Sequence, residues 1–226
     1  MLDLLLPRRC LVCARGGTLL CAGCRDGLPG LTPPLCARCG APTAWPVRRC
    51  RECAGRRLAF ASARAAVAYE GGVRALVAAW KERGLRRLAV AAAEVVVERL
   101  PAPDCELVTF VPPDRARSLE RGFHPAERLA RELAAAWSLP CEPLLRRSGR
   151  SRRQRGLALA ERRRNVRGAF EPTGRIAGRR ILLVDDVYTS GTTANAASSA
   201  LRRGGAREVA VVTFARTIRG PRIPLQ

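Results

Sequence analysis

The stretch ILLVDDVYTSGTTANAASSALRRGG, residues 181–205, decides the fold. Its first four residues, 181–184, form an apolar run that suits a strand buried on both faces of a parallel sheet. Two adjacent carboxylates, Asp185 and Asp186, end this run, and a turn rich in hydroxyls and glycine follows at 189–193. Small apolar residues at helical spacing then lead to a closing pair of glycines. This order predicts a strand–turn–helix unit of an α/β domain with a parallel sheet.

The turn has the chemistry of a phosphate site. In open α/β sheets, ligands bind at the carboxyl ends of the strands. A turn of small residues at a helix N-terminus presents backbone N–H groups to an anion, and hydroxyls add donors. Neighbouring carboxylates accept hydrogen bonds from a polyol, so the combination predicts a ribose 5-phosphate. The candidate binding residues are Asp185, Asp186, Thr189, Ser190, Gly191, Thr192 and Thr193.

Other interpretations of these residues agree less well with the sequence. In an ordinary βα unit the acids would merely end a strand, yet here strand, acid pair and turn occur in register. A Walker B strand of an NTPase requires an upstream glycine-rich loop that ends in Lys-Ser or Lys-Thr. The only lysine, Lys81, is followed by Glu82, which excludes a standard P-loop. The chain also lacks G-x-G-x-x-G, the fingerprint of a Rossmann dinucleotide site.

The composition describes a strongly basic chain that can bury a core. Its 226 residues, 47% of them apolar, suffice for one mid-sized domain and a small one. The net charge is +22, and residues 146–180 hold thirteen arginines against two glutamates. Such a surface attracts phosphates, whether on a small substrate or on nucleic acid. Aromatic residues make up only 4% of the chain, which gives little support to a base-stacking platform for single strands.

The sequence shows neither a membrane span nor an export signal. Uncharged apolar runs stay well below the roughly 18 residues that a spanning helix needs. The start MLDLLLPRRC has an acid at position 3 and its arginines after the apolar run, unlike a signal peptide. We therefore expect a cytoplasmic protein without a membrane span.

Residues 1–57 form the predicted small unit, and its cysteines define it. Four C-x-x-C pairs occur there, and this spacing lets two thiolates of one tight turn reach the same metal ion. Four pairs make two sites, and ligation by cysteine alone favours structural zinc. Paired in chain order, the ligands are Cys10, Cys13, Cys21 and Cys24 in one site and Cys36, Cys39, Cys50 and Cys53 in the other.

Two other uses of the cysteines agree less well with the sequence than zinc does. Disulfides suit a secreted chain, and a thioredoxin-like redox pair requires a βαβ context that this segment lacks. Iron–sulfur binding and a crossed pairing of the C-x-x-C motifs stay open on the sequence. Because the segment is short and poor in large apolar residues, we expect metal binding to drive its folding.

Three segments resemble known phosphoribosyltransferase sequences. LLVDDVYTSGTTA at 182–194 looks like the phosphoribosyl diphosphate (PRPP) signature of type I phosphoribosyltransferases. VPPDRARSLERGFHPAERLA at 111–130 and QRGLALAERRRNVRGAF at 154–170 narrow the resemblance to the ComF family, which typically reads RGFNQ where this chain has RGFHP. The resemblance implies a type I phosphoribosyltransferase-like parallel-sheet domain at 58–226, preceded at 1–57 by a small double zinc ribbon with four cysteines at each metal.

The resemblance also implies a reaction. PRPP would bind with Mg²⁺, and an unknown acceptor would attack C1 as pyrophosphate leaves. Asp185 and Asp186 would hold the ribose hydroxyls and keep the reacting centre oriented, which makes them the candidate catalytic residues, and 189–193 would hold the 5-phosphate. The candidates for contact with pyrophosphate are Lys81, Pro112, Pro113 and Arg115. The basic stretch 146–168 would close over PRPP.

Two alternatives to an enzyme stay open on the sequence. One is a sensor that binds PRPP or a nucleotide and catalyses nothing. The other, implied by the resemblance to ComF proteins of competent bacteria, is an accessory protein of DNA uptake that binds single-stranded DNA or other uptake proteins. The only histidine, His124, replaces the asparagine of the family pattern, which argues against a strict catalytic role at this position.

Overall fold

The computed structural model describes residues 9–113, 123–148 and 168–218. These residues form six strands and five helices. The strands are β1 (Ser62–Ala68), β2 (Leu107–Phe110), β3 (Leu145–Arg147), β4 (Phe170–Pro172), β5 (Arg180–Tyr188) and β6 (Glu208–Arg216). The helices are α1 (Ala22–Asp26), α2 (Gly72–Glu82), α3 (Leu88–Arg99), α4 (Pro125–Ala136) and α5 (Thr192–Arg203).

Four strands form one sheet in the order β1-β6-β5-β2, and every pairing within it is parallel. β3 and β4 form a separate antiparallel pair. Leu182 of the central strand β5 pairs with Ala210 of β6 on one side and with Val108 of β2 on the other. The predicted α/β class with a parallel sheet is therefore confirmed.

β5 extends beyond the apolar run that predicted it. We expected the strand to stop at Val184, before the acid pair, but it continues through both acids to Tyr188. Its partner β6 is equally long, and their pairing reaches from Arg180–Glu208 to Tyr188–Arg216. Backbone pairing depends on the neighbouring strand rather than on apolar side chains, so the polar end of β5 stays in the sheet.

The two faces of the sheet pack against different elements. Leu182 and Val184 of β5 contribute to a core with α2, α3 and α4, whereas Ile181 and Leu183 contribute to a core with α5 and the β3–β4 pair. This alternation follows from the two-residue period of a strand. The segment around the first four cysteines packs on the first core through Leu28, and the later cysteines lie in the second core. The double ribbon thus reaches both faces of the sheet.

Helix α3 anchors the beginning of the ribbon. The guanidinium of Arg25 contacts the carboxylates of Glu94 at 3.0 Å and Glu98 at 2.9 Å, one turn apart on α3. From α3 itself, Arg99 donates hydrogen bonds to the carbonyl oxygens of Leu28 and Arg25. Within the ranges that the structure describes, no helix combines the length and apolar character needed to cross a membrane.

Candidate functional site

A cavity of about 420 Å³ lies at the carboxyl ends of three parallel strands. It is bordered by residues that follow β1 and β2, by the polar end of β5, and by residues at the C-terminus of α2 and the N-termini of α4 and α5. The lining residues are Tyr69, Lys81, Val111, Pro112, Pro113, Phe123, His124, Pro125, Arg147, Asp185, Asp186, Val187, Thr189 and Thr193. The position agrees with the general location of ligands in parallel sheets.

The two carboxylates of β5 both line this cavity. Asp186 forms an ion pair with Lys81, whose Nζ lies 2.8 Å from Oδ1, and both side chains are largely withdrawn from solvent. Asp185 accepts a hydrogen bond from the backbone N–H of Asp186 at 2.9 Å. Neighbouring strand residues point to opposite faces, but at the end of the sheet both carboxylates reach the same opening.

Burial, followed by the charge of the adjacent Asp186, raises the pKa of Asp185 to about 7. The backbone hydrogen bond and the positive charges of Lys81 and Arg147 act in the opposite direction. A pKa near neutrality means that this carboxyl exchanges its proton in the pH range where a ligand would bind.

We expect Asp185→Asn to stabilise the ligand-free protein at pH 8. Because the folded pKa lies above the unfolded value of roughly 3.9, the protonated carboxyl stabilises the fold at low pH, and this contribution is lost as pH rises through about 7. Asparagine stays neutral and can still accept the N–H of Asp186. The melting temperature at pH 8 should rise by about 3 °C or more, with a smaller gain at pH 5.5. Asp186→Asn, which loses the ion pair with Lys81, should show no such gain, and equal shifts at both pH values would contradict the assignment.

Hydrogen bonds to backbone carbonyl oxygens fix the conformation of the turn after β5. Three consecutive carbonyls accept hydrogen bonds from groups outside the turn: Tyr188 from the N–H of Thr217 at 2.9 Å, Thr189 from the hydroxyl of Thr217 at 3.1 Å, and Ser190 from Nη1 of Arg56 at 2.8 Å. In a trans peptide the N–H points away from the preceding C=O. The N–H groups of Thr189, Ser190 and Gly191 are therefore directed away from these three donors, at the N-terminus of α5, where an anion is favoured.

Gly191 is required by the packing of the turn. Its φ is +69°, a left-handed conformation, and a Cβ there would overlap the hydroxyl of Tyr188. Burial raises the pKa of Tyr188 to about 12, so its phenol stays neutral beneath the turn. The hydroxyls of Ser190 and Thr192 form a hydrogen bond of 2.8 Å, and Thr193 lines the cavity.

The residues predicted to meet pyrophosphate are only partly brought together. Lys81, Pro112 and Pro113 all line the cavity, whereas Arg115 lies outside the described residues. Lys81 is in the last turn of α2, where a cation is favoured, and it also reaches Asp186. Its contact with pyrophosphate stays a prediction.

His124 has a structural explanation. It is the N-cap of α4, where its Nδ1 accepts the backbone N–H of Glu127 at 3.3 Å, and Pro125 follows at the first helical position. Asparagine, which the family pattern carries here, is also a favoured N-cap, and proline suits the next position. The change from RGFNQ to RGFHP therefore preserves the start of this helix.

Several residues that line the cavity were not predicted from the sequence, among them Tyr69 and Arg147. Tyr69 follows β1 directly, and Arg147 ends β3, donating from Nε to the carbonyl of Pro112 at 3.0 Å. The basic stretch that we expected to be a loop thus begins within a strand, and its residues 149–167 lie outside the described residues. Nothing in the sequence distinguishes Arg147 from the other arginines nearby.

The cysteines form two groups in chain order: Cys10, Cys13, Cys21 and Cys24, and then Cys36, Cys39, Cys50 and Cys53. Within each group all four Sγ atoms lie within 4.8 Å of one another. The distances given for Cys13–Cys21, Cys36–Cys53, Cys39–Cys50 and Cys50–Cys53 are 3.7, 3.7, 3.4 and 3.9 Å. A tetrahedral zinc site with Zn–S bonds of about 2.3 Å requires about 3.8 Å between sulfurs, so both groups fit zinc.

Comparison with known proteins shows to which family the chain belongs. The family profile described as a double zinc ribbon domain matches residues 1–54, and the profile described as a phosphoribosyl transferase domain matches residues 84–222. The chain belongs to the phosphoribosyl transferase domain family. The predicted combination of such a domain with an N-terminal double zinc ribbon is confirmed.

The chain is also similar to individual known proteins. Competence protein F of Haemophilus influenzae is 28% identical over 92% of this chain and 96% of its own length, which confirms the resemblance to the ComF family. The DNA utilization protein YhgH of Salmonella typhi is 27% identical over 81% of this chain and 85% of its own. Among solved structures, the glutamine PRPP amidotransferase of B. subtilis aligns with 57% of this chain at 26% identity and a TM-score of 0.40, and this chain spans 26% of that enzyme.

Proposed function

We propose that this protein binds PRPP together with Mg²⁺ and transfers the phosphoribosyl group to an acceptor, releasing pyrophosphate. The observation that carries the proposal is the meeting of two features at one strand end. The carboxylates of Asp185 and Asp186 line the cavity, and the turn beside them has its carbonyls bound by Thr217 and Arg56, which directs its N–H groups away from these donors. A ribose 5-phosphate carries hydroxyls and a phosphate on one small molecule, and these groups need hydrogen-bond acceptors and N–H donors of the kinds that meet here.

The residues of the cavity have different roles in the proposed reaction. The carboxylates accept hydrogen bonds from the ribose hydroxyls, and the N–H groups of the turn with the hydroxyl of Thr193 bind the 5-phosphate. Lys81, which contacts Asp186, and Arg147, which binds the carbonyl of Pro112 after β2, contribute positive charge to the cavity. Mg²⁺, when bound with the substrate, neutralises charge on the departing pyrophosphate.

The chemical step exchanges one bond at C1 for another. The bond from C1 to the pyrophosphate oxygen breaks and its electron pair leaves with pyrophosphate, while a lone pair of the acceptor forms the new bond to C1. The ionised carboxylates favour the positive charge that develops on the ribose. A cavity of about 420 Å³ has room for a sugar phosphate.

The experiment is a binding measurement followed by a product assay on the metal-loaded full chain. Calorimetry with PRPP and Mg²⁺ tests the site, and pyrophosphate release is then assayed with a panel of nitrogen-containing acceptors. Binding with release supports the enzyme, whereas binding without release from any acceptor supports the PRPP sensor. Absence of binding at millimolar PRPP contradicts the proposal in both forms.

A second candidate function rests on the surface of the ribbon. Trp45 is 69% exposed, and the exposed charged residues nearby in the chain are all arginines: Arg48, Arg49, Arg51 and Arg57. An exposed indole among cations suits a single-stranded nucleic acid, whose bases stack on aromatic rings while arginines meet the phosphates. The relatives named for competence and DNA utilization favour the same partner.

We expect Trp45→Ala to weaken binding of a fluorescent oligothymidylate about 10-fold, because stacking of one base contributes about 1–3 kcal/mol. Arg51→Ala should weaken binding less and reduce its salt dependence, since it removes a phosphate contact. Arg175→Ala, an exposed arginine before β5, is the matched control and should leave anisotropy titrations nearly unchanged. Equal effects of the Arg51 and Arg175 changes would indicate only nonspecific attraction.

A further inference from the structure

Arg216, the last residue of β6, is an almost completely buried cation. Its side chain is 1% exposed, and it lies beside Tyr188 in the register of the sheet. Burying a guanidinium is costly unless its donors are satisfied. Nε of Arg216 donates to the carbonyl of Thr217 at 3.4 Å, and the double zinc ribbon accepts from the rest of the guanidinium through the carbonyl of Cys39 and, at 2.9 Å, the carboxylate of Glu52.

Both acceptors in the ribbon lie in the C-x-x-C motifs of the second cysteine group. Cys39 is one of its four members, and Glu52 lies within the C-x-x-C motif formed by Cys50 and Cys53. The conformation of these two chain segments depends on the metal ion that their thiolates share. The position of the Arg216 guanidinium is therefore tied to the second metal site.

The other side of Arg216 faces Tyr188, which packs beneath the turn at 189–191. Its Cζ lies 4.9 Å from the ring centroid of Tyr188, and the hydroxyl of that tyrosine packs under Gly191 so closely that no side chain fits there. The next residue, Thr217, binds the carbonyls of Tyr188 and Thr189. A second link from the ribbon is Arg56, which binds the carbonyl of Ser190.

The first cysteine group is connected differently within the described part of the chain. Its neighbouring arginine, Arg25, makes a forked ion pair with Glu94 and Glu98 on α3, away from the turn after β5. The two groups thus differ in what they support. One fixes the ribbon to a helix, and the other is joined through Arg216 and Tyr188 to the residues that would bind the 5-phosphate.

We propose that Arg216 is a positioning residue for PRPP, which couples occupancy of the second metal site to the conformation of the turn at 189–191. The inference rests on the proposed function for its ligand, but the contacts that carry it are independent of catalysis. Because coupling between two binding sites is reciprocal, PRPP must in turn slow the loss of metal from the second site and leave the first site unaffected.

The test compares Arg216→Lys with Arg25→Lys, a matched change at the arginine of the first group. Lysine keeps the charge of Arg216 but cannot bind Cys39 and Glu52 as a fork. We expect Arg216→Lys to raise the Kd for PRPP with Mg²⁺ about 10-fold and to speed hydrogen exchange at the turn in the ligand-free protein, followed at the N–H of Asn195, which donates to the carbonyl of Gly191. Arg25→Lys should change neither quantity.

Metal release provides the second readout. In the unaltered chain, PRPP with Mg²⁺ should slow the transfer of one of two zinc equivalents to a colorimetric chelator, and Arg216→Lys should remove this protection. If Arg216→Lys does not fold, Glu52→Gln, which weakens the same link, takes its place. Unchanged turn exchange in the variant overturns the inference even if PRPP does not bind. Failure of the unaltered chain to bind PRPP, with faster turn exchange in the variant, removes the proposed function but supports the coupling.

Discussion

Replacing Asp185 and Asp186 together by asparagine is expected to reduce the affinity for PRPP with Mg²⁺ by about 100-fold to 10,000-fold. A hydrogen bond to a charged group contributes about 1.5–3 kcal/mol, and the pair supplies at least two such acceptors for the ribose hydroxyls. Asparagine has nearly the same shape, so the cavity keeps its form while its negative charge disappears. Calorimetry at pH 8, above the pKa of Asp185 in the unaltered protein, gives the largest difference.

The single changes separate the roles of the two acids. Asp186 is bound by Lys81, so its loss also frees a cation that can move toward the phosphates and offset part of the effect. The chain's only lysine thus pairs with Asp186 rather than with Asp185, and we expect replacement of Asp185 to cost more affinity. In the proposed complex the ribose hydroxyls bind the ionised form of Asp185, so the advantage of the unaltered protein over Asp185→Asn should grow between pH 6 and pH 8.

Asp104→Asn is the matched control for the double variant. Asp104 is 82% exposed and pairs with Arg180 at the first residue of β5, the end of the strand opposite the cavity. The same chemical change there should leave the PRPP affinity unaltered. If the double variant at Asp185 and Asp186 binds PRPP as the unaltered chain does, the assignment of the site to the end of β5 is wrong.

Much of the fold could be predicted because its signals are local. The apolar run before Asp185 marks a buried strand, and helical spacing marks α5. The C-x-x-C pairs fix which cysteines can share a turn. These features depend on near neighbours in the chain, so the sequence alone predicts the strand–turn–helix unit and the grouping of the cysteines in chain order.

Other features depend on contacts between distant segments, and the sequence carries no local sign of them. The extension of β5 to Tyr188 is imposed by pairing with β6, about 28 positions further on. The ion pair of Lys81 with Asp186 joins a helix end to a strand end. Arg147 enters the cavity only because β3 lies beside the loop after β2. A composition so rich in arginine hides such individual roles.

The relation between ribbon and domain is the clearest case of a feature outside the reach of the sequence. A cysteine-rich N-terminal segment is typical of a separate small unit, and the sequence predicts that this unit ends at residue 57. In space, the carbonyl of Arg38 accepts the N–H of Ala63 on β1, and Asn195 of α5 binds the backbone of Ala59 and Arg57. The ribbon is therefore continuous with the packing of the sheet.

This continuity leads to the second large effect: we expect removal of both metal ions to lower the melting temperature of the whole chain by more than about 10 °C. Structural zinc contributes about 10–16 kcal/mol in isolated zinc-finger peptides, and each kcal/mol corresponds to about 2–4 °C in a domain of this size. Cys36, Cys39 and Cys53 are at most 2% exposed and pack in the same core as β5 and α5. Removing the metal would break the bonds that hold their two turns together within that core.

The two sites should not be equivalent in this respect. Cys13 is exposed and Cys53 is fully buried, so Cys53→Ser should lower the melting temperature more than Cys13→Ser when each variant holds one zinc equivalent. Cys105→Ser, at a cysteine outside both groups, should keep two equivalents by elemental analysis and an unchanged transition. Circular dichroism in the near ultraviolet, which reports on the buried Trp80, follows the transferase domain rather than the ribbon. A chain stripped of zinc whose near-ultraviolet transition is unchanged would show that the ribbon folds apart from the sheet.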